Sequence, residues 1–322
     1  MRVKKEIIVW RFLDGNIGHE KQSLALINSI NLEIKLLNIP ITNLIITTFI
    51  NIKKLIKLPR PDLIIGVGHR VHLSLIVAKL LFGGKSIVIM KPSIPVHWFD
   101  LCIIPKHDQY NGKGLVYRTN GALCDIKNKG AKKSNKGLIL IGGLSKTFIW
   151  DNDSVVEQIM QLVINNPNIK FELTTSRRTP IDFSLNLEKL KTNLDNLSLN
   201  YKKNLKISFP KNQNKNWVKE RMSEAKFAWI TEDSISMISE SLTAGQLVGI
   251  IKLSKNNLNK KNKKLNSLNI LKKEGLIFYD QDGTYKNTNK LIMFPNQAEK
   301  CANWIKQNFI NNNQLMKNKK HG

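Results

Sequence analysis

The feature that most constrains this chain is an alternation of short apolar runs with helix-length amphipathic segments, and it occurs twice. In the first half Ile7–Trp10, Ile34–Ile39, Leu63–Val67, Ser86–Met90 and Leu101–Pro105 read as strands, with helices at Gly18–Ile30 and Val71–Leu81. In the second half the strands are Gly137–Ile141, Lys170–Thr174, Leu205–Phe209, Phe227–Ile230, Val248–Ile251 and Leu276–Tyr279, with helices at Asp153–Ile164, Trp217–Glu224 and Ser234–Ala244. Repeated strand–helix–strand units return to one sheet through right-handed crossovers and build parallel sheets. A Lys-, Asn- and Gly-rich stretch separates the two series. The expectation is an α/β chain of two Rossmann-like, doubly wound domains facing across a cleft: residues 1–126, a linker at 127–137, and 138–322 with a terminal helix at Gln297–Phe309. Segment 254–266 has almost no apolar anchors and reads as a loop.

The 322 residues leave room for two ordinary domains. No apolar run reaches the roughly 18 to 20 residues of a membrane span; the longest, Leu73–Phe82, is broken by Lys79. Arg2, Lys4 and Lys5 precede a short apolar stretch that Arg11 and Asp14 end at once, which argues against a cleaved signal peptide. Cys102, Cys124 and Cys301 lie far apart, without CxxC or metal-ligand spacing. This implies a reducing, cytoplasmic setting, no disulfide framework and no metal site. The formal charge of +27 raises nucleic acid as a partner. Much of that charge is scattered through Lys–Asn stretches such as 254–266 and 316–320, without aromatic interleaving, so it reads mainly as solvated surface. No specific nucleic-acid partner is expected. Anionic membrane lipids, and with them a position peripheral to the inner membrane, and acidic substrates remain as partners such a surface attracts.

Ligands of open α/β sheets sit beyond the carboxyl ends of the strands, so the residues that follow strands carry the information. Asp14-Gly15-Asn16-Ile17-Gly18-His19-Glu20 follows the first strand and opens the first helix. Its glycines allow a tight turn, the helix start favours negative charge, and His19 stands where a general base would act. The plainer alternative is a glycine turn with a surface histidine. Gly66-Val67-Gly68-His69-Arg70 lacks the third glycine of a dinucleotide fingerprint and reads as a polar loop, with His69 and Arg70 lining the cleft, or as a tight turn. Gly142-Gly143-Leu144-Ser145-Lys146 suits a phosphate-holding loop but is not a P-loop. Thr174-Thr175-Ser176-Arg177-Arg178 sets hydroxyls and two guanidinium groups where a diphosphate could be gripped. The most specific stretch is Thr231-Glu232-Asp233-Ser234-Ile235-Ser236, with Glu240 one turn beyond Ser236 on the same helix face. Ser234 or Asp233 can cap that helix, small polar groups at its start suit phosphate, and the glutamate suits ribose hydroxyls.

The strings Asp14–Glu20, PDLIIGVGHRVH (61–72), GGKSIVIMKPS (83–93), FDLCIIPKHD (99–108), TTSRRTP (174–180) and TEDSISMISESLTAG (231–245) resemble the mitochondrial-fission Elm-type family. Its bacterial members are described as glycosyltransferases, some of them in lipooligosaccharide core synthesis. The resemblance spans about residues 7 to 310 and, more distantly, is similar to MurG-like transferases of the GT-B type. It implies sugar transfer from a nucleoside-diphosphate sugar, as substrate and not cofactor, to an envelope glycan or glycolipid such as lipopolysaccharide core. It carries Gly18 and His19 to the acceptor side and to catalysis, with Gly15, His69 and Arg70 beside them and Asp14 orienting His19 or binding acceptor. It carries Gly142, Gly143, Ser145, Thr231, Ser234, Ser236 and Glu240 to the donor. Lys146, Ser176, Arg177, Arg178, Glu232 and Asp233 join them there, the arginines neutralising the leaving diphosphate without a metal. Asp14 and Lys146 depart from the MurG-like pattern. Epimerase labels also occur in the family, but this chain lacks an early GxxGxxG and any Tyr-x-x-x-Lys. The rival readings are a non-catalytic, fission-type interaction protein that retains the fold, and a basic nucleic-acid binder.

Overall fold

A computed structural model describes residues 6–41, 55–128, 130, 132–197, 203–214, 216–256, 262–279 and 294–311. The chain divides into two compact units, residues 1–125 with 296–322 and residues 126–295.

The first unit runs β1 (Ile7–Leu13), α1 (Ile17–Ile30), β2 (Ile34–Pro40), β3 (Leu63–Val67), α2 (His72–Phe82), β4 (Lys85–Ile89), β5 (Leu101–Pro105) and β6 (Val116–Thr119). The six strands form one parallel sheet in the order β2-β1-β3-β4-β5-β6. Strand side chains alternate between faces. Ile7, Val9, Leu63, Ile65, Ile87, Ile89, Leu101 and Ile103 join one core with Ala25, Leu26 and Ile30 of α1. Trp10, Ile64, Val88, Cys102 and Ile104 join the other with Leu75 and Ala78 of α2. Burial on both faces is why these strands read as continuous apolar runs. Asn16 caps α1 by accepting from the Gly18 amide at 2.9 Å, and Asn31 closes it in the left-handed region at φ +51°.

The second unit runs β7 (Lys133–Ile141), β8 (Phe148–Ile149), α3 (Asn152–Asn165), β9 (Lys170–Thr175), α4 (Phe183–Leu197), β10 (Leu205–Ile207), α5 (Trp217–Glu224), β11 (Ala225–Thr231), α6 (Ile235–Thr243), β12 (Leu247–Ile251), β13 (Ser254–Lys255), α7 (Lys263–Lys273) and β14 (Ile277–Phe278). Its parallel sheet has the order β10-β9-β7-β11-β12-β14, and β8 pairs antiparallel with β13. The terminal helix α8 (Gln297–Ile305) continues into a π-helical turn, Lys306–Asn311.

Three expectations change. The terminal helix, placed with the second sheet, belongs to the first unit. Ala298, Cys301, Ala302 and Ile305 pack with α1 on one sheet face, the Gln297 Oε1 accepts from the Asn120 amide at 3.1 Å, and Trp304 meets the Tyr117 ring edge-on. A six-stranded face is too broad for α1 alone, and α8 covers the remainder. The linker is shorter than 127–137, because β7 already begins at Lys133. Its polar start is held from outside: the Lys132 ammonium caps the carbonyls of Met222 and Ser223 at the end of α5, at 2.8 and 3.1 Å. Burial lowers the Lys132 pKa to about 8. Segment 254–266 is not wholly loop: β13 starts it, α7 ends it, and 257–261 lie outside the described residues. Asn262 caps α7 through the Lys264 amide, and Leu268 and Leu271 anchor it. The Lys–Asn stretch 316–320 lies outside the described residues as well.

Candidate functional site

Each sheet has a switch point, where the chain departs in opposite directions from two adjacent strands, and open α/β sheets take their ligands beyond the carboxyl ends there. In the first unit these strands are β1 and β3, and in the second β7 and β11. Four of the stretches that the sequence singles out lie at the ends of these four strands, and the fifth, 174–178, lies at the end of β9, beside β7.

At the first switch point the Asp14 Oδ2 lies 2.7 Å from the His19 Nδ1, with the Asp14 side chain 5% exposed and that of His19 21%. An ionised carboxylate only accepts, so Nδ1 is the donor in this contact, and in the neutral tautomer it fixes Nε2 is the acceptor. The second carboxylate oxygen accepts from the Asn16 amide at 3.0 Å, which ties Asp14 to the turn it precedes. The His19 ring lies against Gly68, where a Cβ would sit 2.5 Å from Cε1. Gly68 has φ +80° and ψ 179°, a region closed to other residues. The glycine of the second motif is therefore what lets β3 approach the histidine of the first. Gly15 takes φ +78° in the tight turn the sequence suggested, and Gly18 stands in the first turn of α1. His69 and Arg70 are exposed on a short 3-10 turn.

Two residues of this region escaped the sequence reading. Arg11 is buried at 5% exposure, and its guanidinium donates to the Ser23 hydroxyl at 2.8 Å, the Asn38 side chain at 3.1 Å and the Glu20 carbonyl. Burial lowers its pKa, and the nearby Glu20 raises it. Arg11 thus clamps the first turns of α1, including the turn that carries His19, to β1. His72 is buried at the start of α2, its Nδ1 3.4 Å from the Ser93 hydroxyl. Burial first, and the neighbouring His69 second, lower its pKa to about 4.

At the second switch point the loop after β7 closes on the loop after β11. The Gly142 amide donates to the Thr231 hydroxyl at 2.7 Å and the Gly143 amide to the Asp233 Oδ2 at 3.1 Å. The Thr231 hydroxyl donates on to the Asp233 Oδ1 at 2.7 Å. The Ser176 hydroxyl donates to the Gly142 carbonyl at 2.6 Å, and the Thr179 hydroxyl reaches the same oxygen. The two amides expected to face a phosphate are thus spent inside the protein. The glycines are required by close approach: a Cβ on Gly142 would lie 2.2 Å from the Asp233 Oδ1, and one on Gly143 2.0 Å from the Arg178 carbonyl oxygen.

Asp233 is 1% exposed and does not cap α6. Ser234 occupies the cap position, buried, without a side-chain cap bond. The expected cap fails because the Asp233 carboxylate turns to the glycine loop and to Arg178, whose Nη2 lies 2.8 Å from Oδ2. Glu232 is buried too, accepting from the Leu253 amide at 2.9 Å and facing Tyr279, whose pKa burial and Glu232 raise. The Ser145 hydroxyl accepts from the Phe148 amide at 3.2 Å, within its own turn. Lys146, Arg177 and Ser236 are exposed, and Glu240 is half-buried one turn beyond Ser236 on α6. Lys264 of α7, absent from every motif, donates from Nζ to the Asp233 carbonyl at 2.9 Å. Its signal was the Asn262 cap followed by leucines at helical spacing, inside a stretch whose composition reads as loop.

The family model described as mitochondrial fission ELM1 matches residues 17–309. An uncharacterized protein of Rickettsia prowazekii (strain Madrid E), RP120, is 26% identical over 297 residues, covering 74% of this chain and 81% of that one. The solved structure of Phytolacca americana UGT2 with UDP-2fluoro-glucose and pterostilbene matches with a TM-score of 0.51 at 8% identity, over 96% of this chain and 91% of that one. A Listeria monocytogenes structure designated a UDP-N-acetylglucosamine 2-epimerase matches with a TM-score of 0.50 at 12% identity, over 94% and 95%. At such identities the likeness is one of fold, the GT-B type with two parallel-sheet α/β units. Among the described residues no helix is long and apolar enough to cross a membrane.

Proposed function

The chain belongs to the mitochondrial fission ELM1 family, and from that premise we propose that it transfers a sugar from a nucleoside-diphosphate sugar to a glycan or glycolipid acceptor of the cell envelope. The observation that carries the reading is the Asp14–His19 pair at the first switch point, 2.7 Å apart, a contact that in the neutral ring makes Nε2 the nitrogen able to take a proton. The acceptor hydroxyl oxygen bonds to the anomeric carbon, the bond from that carbon to the diphosphate oxygen breaks, and the hydroxyl proton passes to the His19 Nε2. Asp14 keeps the tautomer and compensates the charge the ring gains. The second unit holds the donor. Arg177 and Arg178 meet the diphosphate, the start of α6 near Ser234 and Ser236 adds its positive end, and Glu240 takes the ribose hydroxyls. Charge stabilisation of the leaving diphosphate is usually a large part of such catalysis. Peripheral contact with anionic lipid would bring a glycolipid acceptor within reach of so basic a protein.

The inward-turned Gly142 and Gly143 amides favour a second reading, a family member that keeps the fold and binds partners without transfer. A thermal-shift screen against UDP-, GDP-, CMP- and ADP-sugars separates the two. At about 100-fold excess over the dissociation constant, a true donor stabilises the native state by roughly 3 kcal/mol. If no nucleotide sugar shifts the transition, the transferase reading fails.

A further inference from the structure

A half-buried lysine that no sequence motif contains sits against the residue that organises the second switch point. The Lys264 ammonium has three donors, and its hydrogen-bond partner among the described residues is neutral, the Asp233 carbonyl at 2.9 Å. The Asp233 carboxylate is already divided among the Gly143 amide, the Thr231 hydroxyl and Arg178. Glu232, next in sequence, is turned to the Leu253 amide and Tyr279. Two cations and the positive end of α6 therefore share one committed carboxylate. Both cations bond to the same residue, Lys264 to the Asp233 carbonyl at 2.9 Å and Arg178 to its carboxylate at 2.8 Å; burial lowers the Lys264 pKa, the charge of Arg178 lowers it further and that of Asp233 raises it. Holding like charges together at a half-buried position costs stability, and an anion with several charges would relieve that cost.

We propose that Lys264 and Arg178 form a two-cation grip for a diphosphate, with Asp233 as the internal counter-ion that keeps them assembled. The inference rests on the nucleotide-sugar reading and deepens it by adding Lys264 to the donor site. Arg178 gives Nη2 to Asp233 at 2.8 Å and Nη1 to the Leu144 carbonyl at 3.2 Å; its side chain is 44% exposed, so a phosphoryl group can meet the remaining N–H groups of the guanidinium. Among the described residues one Lys264 N–H is engaged, by the Asp233 carbonyl, and the ammonium's other donors serve the second. Asp233 then does not touch the donor but sets the spacing of the groups that do.

The probe is inorganic pyrophosphate, titrated by calorimetry into the full chain at fixed low ionic strength. Lys264→Met removes the charge and keeps the methylene stem, Lys264→Arg restores a charge, and Lys189→Gln removes one charge from an exposed position on α4. The expected result is an affinity loss of about tenfold or more for Lys264→Met, recovery to within about threefold for Lys264→Arg, and little change for Lys189→Gln. Wild-type affinity in Lys264→Met, an equal loss in Lys189→Gln, or no pyrophosphate binding by the wild type overturns the grip. Should Lys264→Met lose its thermal transition, failure of Lys264→Arg to bind pyrophosphate like the wild type overturns it. Pyrophosphate binding that depends on Lys264, with no nucleotide sugar bound, leaves the grip standing and removes the transferase reading. Nucleotide-sugar binding unchanged in Lys264→Met does the reverse.

Discussion

Replacing Gly68 by alanine perturbs the proposed base without touching it chemically. Gly68 has φ +80° and ψ 179°, a region populated almost only by glycine, where another residue costs on the order of 1 to 3 kcal/mol. The added methyl would also lie 2.5 Å from the His19 Cε1 and 2.9 Å from its Nδ1, so the imidazole must move off the position in which Asp14 holds it. Gly83 separates the two effects. It has φ +76° and ψ −156° at the end of α2, and a Cβ there meets nothing within 4 Å. Both alanine variants should therefore lose stability through backbone strain, Gly68→Ala the more because of the added contact with His19, at roughly 2 to 4 °C in Tm for each kcal/mol. Turnover should fall in Gly68→Ala alone, by about 10² to 10⁴-fold, the range for losing a positioned base. The assay is a calorimetric scan of each variant beside transfer measured with saturating donor and acceptor. Equal turnover in the two variants would refute the role given to the His19–Gly68 contact, and an unchanged Tm in both would refute the strain argument.

Asp14→Asn keeps the size of the side chain but lets Nδ1 lose its carboxylate; donor affinity by calorimetry should hold while turnover falls about 10²-fold or more. Glu240→Ala should weaken nucleotide-sugar binding by about 10- to 100-fold, the equivalent of a charged hydrogen bond, with the circular-dichroism spectrum unchanged; unchanged affinity removes Glu240 from the ribose. For His72 the folded pKa of about 4 lies below the ordinary 6.5, so the unfolded chain binds the extra proton. Its contribution, about 3 kcal/mol at most, is present above pH 6.5 and lost as pH falls through about 4. Urea midpoints followed from pH 7 to 4 should drop less steeply in His72→Gln than in the wild type. A parallel fall in both would mean that other groups carry the acid sensitivity.

The fold was legible where burial is two-sided. Leu63–Val67 and Leu101–Pro105 have the expected bounds because every residue in them is covered. The edge strand Val116–Thr119 is only partly covered and went unread, and α4 went unread although Phe183, Leu187, Leu190 and Leu194 keep helical spacing among Asn, Lys and Thr. Nothing local to Gln297–Ile305 says which sheet it covers, since its apolar stripe fits either. At the first switch point the turn glycines and His19 could be read, whereas Arg11 looked like an interruption of the strand IIVWRFL rather than a clamp on the neighbouring helix. At the second switch point the glycine pair suits a phosphate-holding loop in sequence, while in the structure the Gly142 and Gly143 amides bond to Thr231 and Asp233. A glycine pair after a strand says that something comes close to the backbone, and a phosphate and a carboxylate leave the same trace in one sequence. The close neighbours here are Asp233, ninety residues beyond Gly143, and the Arg178 backbone, each reached by a different strand of the sheet. Lys264 follows from the same geometry. It is brought in by the next crossover and meets the site through a carbonyl, a contact that places no demand on side-chain type at Asp233 and so leaves no mark in the motif.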